Sequence, residues 1–105
     1  KEAGKMAIGV DRDQNDLAPD NILTSAMKNI DIAVANLVRD YVNGDYKGGE
    51  VKIGSLANEG VGLAPTTDKN VSAEILEYVD EKAQEIKDGK INVPNNAEEL
   101  EAYNK

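Results

Sequence analysis

Apolar and polar positions follow each other along the first half of the chain in a pattern that predicts a strand, a loop and a helix. The apolar run at residues 6–10 lies between charged residues, which predicts a strand buried on both faces, as in a parallel sheet. Residues 11–21 are rich in Asp, Asn and Pro and predict a loop. Residues 24–42 predict one long amphipathic helix, capped by Thr24 or Ser25. Its apolar stripe consists of Met27, Ile30, Val34, Leu37, Val38 and Tyr41.

The middle of the chain predicts a turn followed by two short strands. Gly44 stands where a left-handed residue would end the long helix. Residues 50–54 alternate between polar and apolar side chains, and the apolar residues 61–64 are stopped by Pro65. We expect these two strands to form a hairpin, or a pair of strands that crosses a hinge.

The last third of the chain predicts two more helical segments. Residues 72–87 have an apolar stripe with helical spacing and are followed by Gly89. The predicted buried residues of this helix are Ile75, Leu76, Val79, Ala83 and Ile86. After a brief extended segment, Asn95 or Asn96 is expected to cap a final helical turn that runs to Tyr103.

Composition restricts the chemistry that the chain can perform. The chain has 105 residues, at most one domain, and it contains no Phe and no Trp. Its net charge of -8 argues against nucleic acid as a partner, because phosphate binding needs clustered Lys and Arg. Without Cys or His, the chain cannot form disulfides, thiolate or histidine metal sites, or serine–histidine triads. No cofactor is expected.

The loop after the first strand contains the first candidate for ligand binding. Asp11 follows the apolar run directly, and ligands of open α/β sheets bind at the carboxyl ends of strands. Its carboxylate only accepts hydrogen bonds, which suits neutral hydroxyl donors such as a sugar diol. A calcium loop is disfavoured because Asp16 and Ile22 stand where that motif needs Gly and Glu. The alternative is a solvated loop with Asx-type turns.

Lys28 is the second candidate. It lies near the start of the predicted long helix, where the helix dipole disfavours a cation by a few tenths of a kcal/mol, on the order of 0.3. That misfit is a weak indication of function, and the alternative is an exposed lysine that extends into solvent. The acidic residues of the predicted helix 72–87 are best interpreted as a solvated face.

Five motifs, taken in order, resemble one family of bacterial proteins. They are IGVDRDQ at residues 8–14, LTSAMKNID at 23–31, GDYKGG at 44–49, GVGLAP at 60–65 and GKINVP at 89–94. Together they resemble the basic membrane protein family of lipoproteins, which bind purine nucleosides for ABC importers.

This resemblance implies an α/β chain with a partial type I periplasmic-binding-protein fold, in which parallel-sheet elements combine with hinge-crossing strands. Residues 1–105 would be the C-terminal portion of a two-lobed protein, a single partial domain. By resemblance, Asp11 and Lys28 contact the ribose, while Asp13, Gln14 and Thr24 lie near it. The missing aromatic rings would belong to the other part of the protein.

The implied partners are a purine nucleoside, an ABC permease in the membrane and the remaining N-terminal part of the same protein. The implied location is extracytoplasmic, either lipid-anchored to the cell membrane or periplasmic. The resemblance implies a binding protein and no enzyme. One alternative keeps the family but changes the ligand or gives the protein a sensing role. Another class of alternative is a small α/β enzyme or a structural interaction domain, although neither a nucleophile elbow nor a phosphate-binding loop is present.

Overall fold

The computed structural model describes residues 2–103, which form one three-stranded sheet and three α-helices. The strands are β1 (Ala7–Asp11), β2 (Ile22–Lys28) and β3 (Val61–Leu63). The helices are α1 (Ile30–Asn43), α2 (Ala73–Lys87) and α3 (Ala97–Tyr103). Two short 3-10 turns, Asn15–Leu17 and Pro65–Lys69, follow β1 and β3.

The sheet has the order β1-β2-β3, with β1 parallel to β2 and β3 antiparallel to it. The prediction that the first strand pairs in a parallel sheet is therefore confirmed. Gly9 lies opposite Ser25, and a side chain on Gly9 would collide with the Ser25 hydroxyl and with Gln14. The glycine thus allows the loop after β1 to fold back against β2. The expected burial of β1 on both faces is not observed, because Ile8 and Val10 are exposed.

The predicted long helix 24–42 is wrong in its first third. Residues Ile22–Lys28 form β2, and α1 begins only at Ile30, with Asn29 at its N-cap. Neither Thr24 nor Ser25 caps a helix. Residues 22–28 satisfy both periods locally, and the strand is favoured because β1 pairs with it in parallel from Ile22 to Met27. Gly44 does end α1, with a φ of 80°.

The predicted hairpin between residues 50–54 and 61–64 is also wrong. Residues 50–54 form no strand, and β3 pairs with β2 instead. The segment before β3 is held by backbone contact, since Gly54 packs directly against Gly60. Asn58 supports this turn by donating to the Ile53 carbonyl at 2.8 Å and accepting from the Ser55 amide at 2.8 Å.

The two later helices are confirmed close to their predicted bounds. Ser72 occupies the N-cap position of α2, and the Asn96 side chain accepts a hydrogen bond of 2.9 Å from the Glu99 amide at the start of α3. The buried stripe of α2 is only half-buried, at Leu76, Val79, Ala83 and Ile86. Ile75, predicted to be buried, is exposed.

The interior of the described residues is polar and small. The buried residues of the described range are Gly9, Asn15, Ser25, Ala64 and Thr67, of which Ser25 is fully inaccessible. Their polar atoms bond each other and the backbone: for example, the hydroxyls of Thr24 and Thr67 lie 2.7 Å apart. Within residues 2–103, no buried side-chain nitrogen or oxygen lacks a hydrogen-bond partner. A hydrogen-bond network therefore occupies the place of an apolar core.

The large apolar side chains, by contrast, lie on the outside. The chain exposes 8254 Å² of surface, whereas a compact protein of 11.3 kDa exposes about 5,700 Å². Its radius of gyration is 16.8 Å, compared with about 13 Å for a compact chain of this length. If a partner covered this excess of about 2,500 Å², about 5,000 Å² would be buried over both surfaces, which is the size of a large obligate interface.

Helix α1 is one element whose large apolar side chains lie on the outside. Its apolar stripe, which consists of Ile30, Val34, Leu37, Val38 and Tyr41, is exposed along its whole length. The half-buried positions are Ile32, Asn36 and Asp40, on another face, and no residue of α1 is buried. An amphipathic helix normally turns its apolar stripe toward a core. The stripe of α1 therefore faces away from the rest of this chain.

The contact of Gly60 with Gly54 predicts a selective effect of substitution. A Cβ on Gly60 would lie 2.5 Å from the Gly54 Cα, so Gly60→Ala must move backbone and should lower the free energy of unfolding by about 1–3 kcal/mol. In Gly62→Ala, the matched control, the nearest atom lies 3.8 Å away, an ordinary contact. Chemical denaturation of both variants measures the difference. Equal stability of the two variants would contradict the assigned packing.

Candidate functional site

Asp11 and Lys28 lie side by side at the carboxyl ends of the two parallel strands. The Lys28 ammonium is 2.8 Å from the Asp11 carboxylate, and the two side chains are 64% and 62% exposed. The structure thus brings together the two residues that the sequence singled out from separate motifs. The predicted misfit of Lys28 with a helix dipole is wrong, because Lys28 is the last residue of β2 and not a residue of α1.

The ion pair depends on an unusual backbone conformation at Asp11. Strand register places Asp11 opposite Met27, and alternation along β2 turns Lys28 to the other face from Met27. Asp11, however, has a φ of 75°, in the left-handed region that few non-glycine residues adopt. The Arg12 amide donates to the Val10 carbonyl at 3.0 Å, which closes a three-residue turn around Asp11. This turn ends the strand and frees the carboxylate to meet Lys28.

Gln14 holds the end of β1 from both its backbone and its side chain. Its amide donates to the buried Ser25 hydroxyl at 3.1 Å, and its side-chain nitrogen donates to the Val10 carbonyl at 3.1 Å. Gln14 was expected to lie near the site, and the structure shows it bonding Val10, next to Asp11, and Ser25 in the middle of β2.

Asp13 connects the same loop to the segment after β3. The Thr66 hydroxyl lies 2.8 and 2.7 Å from the two Asp13 carboxylate oxygens, and the Asn15 amide donates to Asp13 at 3.0 Å. The bonds from Asn15 and Thr66 hold the pKa of Asp13 below its ordinary value of 3.8. Sequence inspection missed Thr66, which is 53 positions from Asp13, so no local pattern joins them.

Thr24, also expected near the site, lies elsewhere. It is four residues from Lys28 along β2, about 13 Å in an extended strand. Its hydroxyl bonds Thr67 in the polar interior. Thr24 therefore holds the 3-10 turn Pro65–Lys69 against β2.

A long groove begins beside Lys28 and runs between the sheet and α2. Its volume is about 1010 Å³, and its walls are largely apolar. The wall residues include Met27 and Leu63 from the sheet and Leu76, Val79, Ala83 and Ile86 from α2. Lys28 lines this groove, whereas Asp11 does not.

The electrostatics of the pair favour its charged form. The hydrogen bond from Lys28 to Asp11, with the attraction between their charges, raises the pKa of Lys28 above its ordinary value of 10.5. At neutral pH the site therefore presents a hydrogen-bond donor and an acceptor with little net charge between them. Such a pair can bind two neighbouring hydroxyl groups of a neutral ligand.

The described residues show neither a metal cluster nor a membrane-spanning helix. Residues 2–103 contain no cluster of three or more Asp and Glu side chains placed to hold a metal ion. In that range, no helix is both long and apolar enough to span a bilayer.

Comparison with known proteins places the chain in a family. The family described as "ABC transporter substrate-binding protein PnrA-like" matches residues 1–97. The CD4+ T-cell-stimulating antigen of Listeria monocytogenes is 42% identical over 96 residues, covering 83% of this chain and 27% of that protein. Basic membrane protein B of Borreliella burgdorferi is 35% identical over 102 residues, covering 95% and 28%. Basic membrane protein A of the same organism is 33% identical over 102 residues, covering 96% and 30%.

A solved structure shows the fold. A solute-binding protein of an ABC transporter system from Aeropyrum pernix K1 superposes with a TM-score of 0.63 at 23% identity. The match covers 92% of this chain and 35% of that chain. The predicted fold class, α/β with a partial periplasmic-binding fold, is confirmed. The chain spans less than a third of the length of each of these three curated relatives.

The raised pKa of Lys28 predicts a titration that depends on Asp11. A raised lysine pKa means that the ion pair is fully present below the ordinary value of 10.5 and is lost as the pH rises through the raised value. Asp11→Gly removes the carboxylate and tolerates the left-handed backbone, so it should bring the Lys28 midpoint back toward 10.5. NMR titration of the Lys28 side chain measures both midpoints. Identical midpoints in the two proteins would rule out the pairing.

Proposed function

The chain belongs to the family of PnrA-like ABC transporter substrate-binding proteins, and on that premise we propose that it is part of the solute-binding component of an ABC importer. In this proposal the complete protein is extracytoplasmic, either lipid-anchored to the cell membrane or periplasmic. It delivers its ligand to an ABC permease. The family consists of substrate-binding proteins rather than enzymes, in agreement with the expectation that the chain is no enzyme.

The proposed ligand is a purine nucleoside, and its ribose is held by Asp11 and Lys28. The observation that supports this is the ion pair itself, in which an acceptor and a donor lie 2.8 Å apart at the carboxyl ends of β1 and β2. Ribose carries two neighbouring hydroxyl groups, each able to donate and accept. One hydroxyl can donate to Asp11 while its neighbour accepts from Lys28.

The near-neutrality of the pair favours an uncharged ligand. A phosphate group would be attracted by Lys28 and repelled by Asp11 at nearly equal distances, so it gains little from the site. A vicinal diol gains two charge-assisted hydrogen bonds instead. This argument supports a nucleoside over a nucleotide.

The base must be recognised by the rest of the protein. The chain has no Phe and no Trp to stack on a purine, and of its tyrosines, Tyr41 and Tyr46 pack against each other, with their ring centroids 6.0 Å apart. Nothing in the described residues distinguishes a purine from another heterocycle. A different solute, or a sensing role within the same family, is therefore the alternative.

We also propose that residues 1–105 are the C-terminal portion of a two-lobed protein, and that the remaining polypeptide covers the apolar surface described above. The excess surface of about 2,500 Å² on this chain would bury about 5,000 Å² over both surfaces, an amount typical of a large obligate contact. The exposed stripe of α1 and the apolar groove beside α2 are the surfaces that such a polypeptide would cover. Curated relatives more than three times as long have the length to supply it.

The ribose contact predicts the effect of removing the Asp11 carboxylate. In the complete protein, Asp11→Gly should weaken the binding of inosine, guanosine and adenosine by about tenfold or more, because each loses a hydrogen bond to a charged group. Isothermal titration calorimetry measures the affinities. Asp20→Ala is the matched control, since it removes an exposed carboxylate from the same loop region and should leave affinity unchanged.

A second ligand, 2′-deoxyinosine, tests whether the lost contact is one to the ribose hydroxyls. The normal protein should bind inosine more tightly than 2′-deoxyinosine, and Asp11→Gly should reduce that preference. An inosine affinity within a factor of two of the normal value in Asp11→Gly would refute the assigned contact.

A further inference from the structure

The left-handed backbone of Asp11 is a strained feature that its surroundings must maintain. A non-glycine residue in this conformation costs about 1 kcal/mol or more, and such residues persist where neighbouring contacts fix them. The three residues after Asp11, which are Arg12, Asp13 and Gln14, make hydrogen bonds that fix the start of the loop. The bond of Asp13 is to Thr66, which is distant in sequence, and it has no role in the ligand contact itself.

We propose that Asp13 and Thr66 form a latch that positions the Asp11 carboxylate for its ligand. This inference rests on the proposed function, because it assigns a positioning role at the same site. Neither latch residue is a proposed ligand contact. The latch would set how much of the time Asp11 holds the geometry that binds a diol.

The latch joins two segments that the strands alone leave separate. Asp13 lies in the loop between β1 and β2, and Thr66 lies in the 3-10 turn Pro65–Lys69 after β3. The Thr66 hydroxyl lies within 2.8 Å of both Asp13 carboxylate oxygens. Both side chains are half-buried. A hydrogen bond to an ionised group in such a position is stronger than one between neutral groups.

The opposite side of the turn is fixed to the sheet. Thr67, next to Thr66, is buried and bonds Thr24 of β2 at 2.7 Å. The Ala64 amide donates to the Ser25 carbonyl at 2.9 Å, which fixes the start of the same turn. The residues around Thr66 are therefore bonded to β2, and the latch holds the loop that carries Asp13 against this fixed turn.

Asp13 is close enough to Asp11 to transmit this restraint. Only Arg12 separates them, and the Asp13 carboxylate also accepts from the Asn15 amide at 3.0 Å, which starts the next turn. Loss of the Thr66 bond would release the start of the loop around Asp13, where Gln14 is then the nearest tie to the strands. The far end of the loop would stay attached, through Asn21 to Ala7 and through Pro19 to Asn70. Asp11 could then relax toward an ordinary extended conformation and withdraw its carboxylate from Lys28.

The lowered pKa of Asp13 agrees with a latch that is closed under ordinary conditions. A depressed carboxyl pKa means that the ionised, bonded form is favoured above the ordinary value of 3.8 and is lost as the pH falls through the lowered value. At neutral pH the carboxylate is therefore available to accept from Thr66.

The test removes the Thr66 hydroxyl in the complete protein and asks whether the effect depends on Asp11. Thr66→Val should weaken inosine binding by about five- to tenfold, and Thr66→Ser, which keeps the hydroxyl, should remain within twofold of normal. In an Asp11→Gly background, Thr66→Val should change affinity by less than twofold, because the group being positioned is gone. A general structural role would give the same loss in both backgrounds.

Ser72→Ala is the matched control for hydroxyl loss, since Ser72 makes no side-chain cap bond at α2. If Thr66→Val does not fold, Asp13→Asn is judged by the same comparison of backgrounds. An effect below twofold in the normal background, or an equal effect in both, overturns the latch alone. An Asp11→Gly affinity within twofold of normal overturns the ribose contact and the latch with it.

Discussion

The parallel pairing of β1 with β2 is the constraint on which the rest of this structure depends. It aligns the carboxyl ends of two strands from different motifs and so places Asp11 beside Lys28. The pairing requires a glycine at position 9, because any larger residue would strike Ser25 and Gln14. It also gives the loop after β1 its fixed points, since Gln14 bonds the buried hydroxyl of Ser25 in β2. The geometry of the site is therefore set by the register of β1 with β2 and by the left-handed backbone of Asp11.

The sequence-based predictions are correct where the deciding interactions are local, and they fail where the deciding partner is distant in sequence. The helix 72–87, the left-handed Gly44 and the Asn96 cap are determined by residues within a few positions of each other, and all are confirmed. The error at residues 22–28 arose because that segment fits both periods, and its partner strand decides between them. Residues 50–54 alternate like a strand but find no partner. Likewise, Asp11 and Lys28 could be named from motifs, whereas Thr66 could not, because its contact with Asp13 spans 53 positions.

The interior of the described residues is polar and their large apolar side chains are exposed, and this distribution bears on the proposed function. A polar network holds the loop after β1 and the 3-10 turn after β3, next to the strands that carry Asp11 and Lys28, and it needs no apolar core to do so. The apolar residues instead form the outer stripe of α1 and the groove beside α2. In the proposed two-lobed protein, burial of those surfaces stabilises the lobe, while the exposed ion pair remains free for ligand. The acidic, aromatic-poor composition fits a chain that supplies one side of a binding cleft.

A crystal structure of the complete protein with inosine bound tests the central claim most directly. We predict that the ribose lies at the carboxyl ends of β1 and β2, with its hydroxyls within about 3 Å of the Asp11 carboxylate and the Lys28 ammonium. We also predict that Asp11 keeps its left-handed conformation in the complex. A nucleoside bound with its ribose hydroxyls away from both residues would contradict the proposed ribose site.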